Sequence, residues 1–78
     1  MPTVLRKEGY RFFFFSNEGT EPPHIHVERG KGHAKYWLEP VSLAYSKGFK
    51  ANELRRIREI VVGHRDYFLQ KWHEYFGT

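Results

Sequence analysis

The chain has 78 residues, no cysteine, a formal net charge of +4 and an aromatic content of 18%. This length holds one domain, of a size that buries only about 60% of its unfolded surface, so the chain is expected to lean on an oligomer or a partner. The composition excludes disulfide frameworks and thiolate metal sites, which suits a reducing, cytoplasmic setting; there is no apolar run of the roughly 20 residues a membrane helix needs, nor the basic-then-apolar start of a signal peptide.

Residues 3–6, "TVLR", are β-prone and end in the turn-forming "KEG". "YRFFFFS" at 10–16 is the strongest strand signal, because aromatic side chains fit a pleated surface. These two segments read as a hairpin. "SNEGTEPP" (16–23) is a loop by composition. "HIHVERG" alternates polar and apolar residues, the mark of a half-buried strand, and "GKG" turns it into a return strand, "AKYWLE" (34–39). Pro40 interrupts the pattern, and "VSLAY" (41–45) fits either a short edge strand or a helical turn. From residue 51 the period changes: Leu54, Ile57, Val61, His64, Phe68, Trp72 and Tyr75 step by three or four, one helical stripe about 37 Å long. Gly77 stands where that helix should stop. The expectation is an α+β fold in a single domain over residues 1–78. A small antiparallel sheet of four or five strands (1–45) is followed by one long amphipathic helix (50–76) packed on one face.

Successive strand residues point to opposite faces. Tyr10, Phe12 and Phe14 therefore share one face and Arg11, Phe13 and Phe15 the other, and both faces are apolar. One helix covers one face, so Phe13 and Phe15 are expected to meet a partner. Val62, Leu69 and Phe76, recurring every seven residues on a flank of the helix, widen that expected interface. Homodimer and hetero-oligomer both satisfy it.

The segment "EPPHIHVERG" (21–30) carries the candidate chemistry. If Ile25 and Val27 face the core, His24, His26 and Glu28 form a row on the other face, with neighbours roughly 6.5–7 Å apart. Two imidazoles at that spacing serve as acid and base in metal-free RNA cleavage. Alternatively they share a divalent metal such as Zn²⁺, with a third ligand from elsewhere, since Glu28 is about 13 Å from His24. The third reading is structural: interface histidines that hydrogen-bond across the sheet. A carboxylate or histidine opposite the pair would favour metal; Tyr or Lys there would favour acid–base chemistry. His33, after a glycine turn, is expected to be exposed, and His64 to be a satisfied core histidine. Arg11, Arg29, Lys35 and Tyr36 place basic groups among rings, the pattern of a single-strand nucleic-acid face.

The segments "MPTVLR", "GYRFFFFSNEG", "EPPHIHVERG" and "AKYWLEPVSLA", with a closing Trp-His-Glu-Tyr-Phe-Gly, together resemble a family of small bacterial proteins known as domain of unknown function 4160. The resemblance spans nearly the whole chain, and "EPPHIHV" is its most specific piece. It brings no established catalytic residues. It implies a gene arrangement: members are commonly encoded beside another small protein, much as toxin–antitoxin pairs are. Members often cap the long helix with Ser or Thr, where this chain has Lys50. The expected function is accordingly a component of a toxin–antitoxin-like module, held by a neighbour-encoded partner. It would cleave or bind RNA through the His24/His26 face without a cofactor. The alternatives are a non-enzymatic interaction module using the same face and a small metal-binding protein.

Overall fold

The computed structural model describes residues 3–77; Met1, Pro2 and Thr78, which the domain reading included, lie outside the described residues. Five strands form one antiparallel meander in chain order: β1 (Thr3–Lys7), β2 (Tyr10–Phe13), β3 (His24–Arg29), β4 (Gly32–Leu38) and β5 (Val41–Lys47). The "VSLAY" segment left open by the sequence is thus the fifth strand, at a sheet edge, and the fold is α+β as expected. Turn chemistry sets the register. Glu8 and Gly9 both have positive φ, +55° and +83°, which a two-residue hairpin turn with the right twist requires. They join Lys7 to its partner Tyr10.

The helical part begins at Ala51, where the Glu53 carboxylate accepts the Lys50 backbone N–H at 3.0 Å and so caps the start without a Ser or Thr. It is not one long helix. α1 (Ala51–Gly63) and α2 (Arg65–Phe76) meet at His64. There the backbone N–H and the ring Nδ1 both donate to the Ile60 carbonyl, at 3.0 and 2.9 Å. Gly63 weakens the local helical preference, and the His64 side chain competes for the carbonyl that the ladder would use. His64 is half-buried at this junction rather than a core residue.

The helices cover one face. Phe12, Ile25, Val27, Ala34, Tyr36 and Leu38 of the sheet meet Ile57, Ile60 and Val61 of α1 and Phe68 and Trp72 of α2, none more than 2% exposed. Each such side chain is worth about 1.5–3 kcal/mol of burial. Tyr36, read from the sequence as a nucleic-acid contact, belongs to this core, and its hydroxyl donates to the Leu54 carbonyl at 3.2 Å. The β4 alternation sends it to the helix side.

The second face is covered by the chain itself. Residues 14–23 fold back over it, and Phe13 is only 1% exposed. Phe13 lies edge-on to Phe15 at 5.3 Å and stacked with His26 at 5.5 Å, with the Arg11 guanidinium 4.4 Å over its ring. Phe15 is half-buried. The expectation that these two rings need a partner is corrected on this point: a ten-residue segment, of which 16–23 read as mere connection, supplies the cover. Along the helix flank Leu69 and Phe76 pack against the chain's own core, and Val62 alone of the three is exposed, at 48%. Phe76 also reaches the loop: a Cβ on Gly19 would stand 2.7 Å from its Cδ1, so only glycine admits this approach.

Candidate metal centre

β3 is buried on both sides. Ile25 and Val27 face the helices, as their spacing predicts; His24 and His26 face the loop and are 0% and 2% exposed. They are covered by Trp72 of α2, whose ring is 4.8 Å from that of His24, by Phe15, 4.5 Å from His26, and by Glu18. Its Oε1 lies 2.9 Å from Nε2 of His24 and 2.9 Å from Nε2 of His26, and its Oε2 lies 3.1 Å from the latter. One carboxylate therefore bridges two imidazoles that the strand alone would leave roughly 6.5–7 Å apart. Among the described residues these three offer ligand atoms all within 4.8 Å of one another.

The second nitrogens have partners too. Nδ1 of His24 is 2.9 Å from the Pro22 carbonyl oxygen, which only accepts, so Nδ1 carries a proton and donates. Nδ1 of His26 is 3.2 Å from Nε2 of His33, and Nδ1 of His33 is 3.3 Å from the Tyr45 hydroxyl. The rings of His26 and His33 stack at 5.3 Å. A chain of polar contacts thus runs from the buried carboxylate to Tyr45 on the exposed edge strand. His33 is half-buried in this chain, not the exposed turn residue expected.

These contacts constrain the protons. A neutral His24 with its proton on Nδ1 presents a bare lone pair at Nε2, and it presents it to a carboxylate oxygen. Burial pushes the Glu18 carboxyl up, but the hydrogen bond from His24 and the charges of His26 and His24 outweigh it and hold the group below the usual carboxylate value. Glu18 is therefore ionised, and with His24 neutral two acceptors would face each other at 2.9 Å. The contact needs a positive charge between or upon them: a proton on His24 or a metal ion. For His26, burial lowers the tendency to take a proton and outweighs the lift from Glu18, with His24 and His33 adding to the lowering. A neutral imidazole is the form that ligates metal.

A His₂–carboxylate set is a recurrent Zn²⁺ donor combination, and a backbone carbonyl on the remote nitrogen is the usual way such a histidine is oriented. Ligand atoms about 2.0–2.1 Å from a tetrahedral Zn²⁺ stand roughly 3.3 Å apart, so the two 2.9 Å separations would have to open by ~0.4 Å, while the set as a whole, spread within 4.8 Å, would have to draw together.

The family model for a domain of unknown function, DUF4160, matches residues 9–73. The chain belongs to this family. The match takes in all three residues of the cluster and every strand but the first. No curated protein and no solved structure matches the chain.

The other residues singled out from the sequence lie elsewhere. Glu28 accepts from Arg11 at 2.7 Å and takes no part in the cluster. Lys35 donates to Glu21 at 2.7 Å and sits 4.4 Å over the Trp37 ring, on the same face as the histidines. Arg11 and Arg29 share a cleft with Arg6 at the end of the sheet nearer the β1–β2 and β3–β4 turns. A second cleft, between β1 and α2, is lined by Phe14, Tyr67, Lys71 and Tyr75; the histidines line neither. Sequence reading missed Glu18 and His33. The signal for Glu18 was its company: a histidine pair in want of a third ligand follows directly on a loop whose ionisable residues are Glu18 and Glu21 alone. Nothing in the sequence says that this loop folds back.

Proposed function

We propose that the chain is a small metal-binding protein that holds a divalent ion of the Zn²⁺ class through Nε2 of His24, Nε2 of His26 and the carboxylate of Glu18. The observation that carries this reading is the His24 contact. Its Nδ1 proton is committed to Pro22, so its Nε2 meets the Glu18 carboxylate at 2.9 Å only through a second proton or a bound cation. The second oxygen of Glu18 or a water molecule completes the coordination. The ion then ties residues 14–23 to β3, which gives it a structural role in closing the second face.

Metal-free RNA cleavage is less well supported by this geometry. Acid and base must come within hydrogen-bond reach of the substrate, and both Nε2 atoms are turned onto Glu18 in rings that are 0% and 2% exposed. The toxin–antitoxin-like setting with a neighbour-encoded partner, or a homodimer, stays part of the proposal. Its support is β5, an edge strand with Leu43 and Tyr45 each 45% exposed. Edge strands with exposed apolar groups readily accept another strand.

The test is elemental analysis of protein purified without a histidine tag, followed by calorimetric titration of chelator-treated protein with Zn²⁺. One equivalent of metal, bound by the wild type and lost in His24→Ala and His26→Ala, is the expected outcome. Folded wild-type protein that neither contains nor binds metal overturns the reading and leaves a buried imidazolium–carboxylate pair in its place.

A further inference from the structure

A second site of different chemistry lies at the end of the sheet where the β1–β2 and β3–β4 turns come together. The cleft there has a volume of about 470 Å³, and its charged lining is Arg6, Arg11, Arg29 and Glu28. Arg6 and Arg11 are direct cross-strand partners, and Arg11 is in turn the partner of Glu28. The three form one row across β1, β2 and β3 on the face away from the helices. Arg29, next along β3, belongs to the opposite face, where its guanidinium lies 5.0 Å from the Tyr10 ring centre, and it lines the cleft from around the end of the sheet.

The charge of this cleft is unbalanced. Three arginines and one glutamate line it, so the lining residues carry 3 − 1 = +2. The carboxylate is already engaged with Arg11 at 2.7 Å. Like charges directly opposite on neighbouring strands destabilise a sheet, and Arg6 opposite Arg11 is such a pair. Polyvalent anions relieve that repulsion. Guanidinium forks match the oxygens of a phosphate two at a time, which no carboxylate in this lining is left to do. The glycines of both turns, Gly9 and Gly30, keep the rim free of side chains. The net charge of +4 on the whole chain would draw such a ligand in.

We infer that this arginine cleft binds a phosphate group, presented either as a free phosphate monoester or as the backbone of a single-stranded RNA. The site is independent of the metal centre, which lies beneath the 14–23 loop with none of its ligands in the cleft lining.

The experiment uses the intact chain with two probes. Inorganic phosphate is titrated by NMR, following the arginine side-chain resonances, and a short fluorescent oligouridylate is titrated by anisotropy at several salt concentrations. Arg6→Gln and Arg29→Gln, both at exposed positions, are each expected to weaken binding roughly tenfold. For the oligonucleotide each should also flatten the dependence of log K on log salt by about 0.7. Glu28→Gln is expected to strengthen binding several-fold, which loss of structure would not do. Arg55→Gln, which removes an exposed charge on α1 outside the cleft lining, should leave it nearly unchanged. Tighter binding of the oligonucleotide identifies the RNA backbone as the source, and equal binding per phosphate identifies a monoester. Failure of both probes to bind, binding indifferent to Arg6→Gln and Arg29→Gln, or weakening by Glu28→Gln overturns the inference.

Discussion

Replacing Glu18 by Gln is the most informative single change, because it keeps the shape of the bridging side chain and removes its charge. The wild-type carboxylate serves two imidazoles at 2.9 Å and also accepts the Phe15 backbone N–H at 3.3 Å. Structural Zn²⁺ sites have apparent binding free energies of about 10–16 kcal/mol. If three protein ligands share that about equally, losing one costs roughly 3–5 kcal/mol, or about 10²- to 10⁴-fold in Kd. Without metal the effect is smaller. The amide can donate to the His24 lone pair but then offers a single acceptor to His26, so the apo protein should lose about 1–3 kcal/mol, typical of a weakened buried hydrogen bond. Competition with a zinc chelator measures the first quantity and urea unfolding of apo protein the second. The sign pattern decides the matter: a large loss of metal affinity with a modest loss of apo stability. A Glu18→Gln chain that binds Zn²⁺ as tightly as wild type would refute the assignment of Glu18 as a ligand. If Gln destabilises the apo chain and no metal binds to either form, the 2.9 Å contact is an imidazolium–carboxylate pair and nothing more.

Phe13→Ala should cost about 3–5 kcal/mol in thermal or urea unfolding, the penalty for emptying a buried aromatic site; near-wild-type stability would mean that residues 14–23 do not cover the ring. Gly19→Ala places a Cβ 2.7 Å from Phe76 and should destabilise by about 1–3 kcal/mol. Because the same contact holds the loop, it should also weaken metal binding, and a melt unchanged from wild type would show that Phe76 swings clear. Chelator-treated protein should lose stability on acidification in two stages. The folded-state value of His26 is lowered by burial, so its contribution is full above the unfolded value of about 6.5 and declines as pH falls below it, because the unfolded chain takes the proton first. The Glu18 value is also lowered, so its contribution is full above about 4.5 and is lost as pH falls through the folded value. His26→Gln should abolish the upper stage, as read from unfolding midpoints between pH 7.5 and 5; persistence of that stage would assign it to another group.

Some of this protein is legible in short windows of sequence. The alternation of "HIHVERG" predicts one strand, "GKG" its turn and "AKYWLE" the return strand, and the three-to-four stepping of Ile57, Val61, Phe68 and Trp72 predicts the helical face that is buried. These features follow from neighbours within a few residues, where the strand and helix periods act directly. The importance of His24 and His26 is legible in the same way, from their spacing on one strand face. The break at His64 is not, because it depends on one ring turning back to the Ile60 carbonyl in competition with the helical ladder.

Only the tertiary structure decided what the histidines face. Alternation places His24 and His26 opposite Ile25 and Val27 but says nothing about whether that side meets water, a partner or the chain itself. Burial of Phe13, the pairing of Lys35 with Glu21 and the convergence of Glu18 on both rings all come from one excursion of residues 14–23 across the sheet. Such a loop has no period to read, and its path is set by contacts distant in sequence, among them Phe76 seated against Gly19. Tyr36 shows the same limit from the other side. A tyrosine among basic residues looks like a surface contact in sequence, yet the β4 alternation, combined with the side on which the helices pack, sends it into the core. A residue's face follows from local geometry, whereas the occupant of that face is decided by the packing free energy of the whole chain.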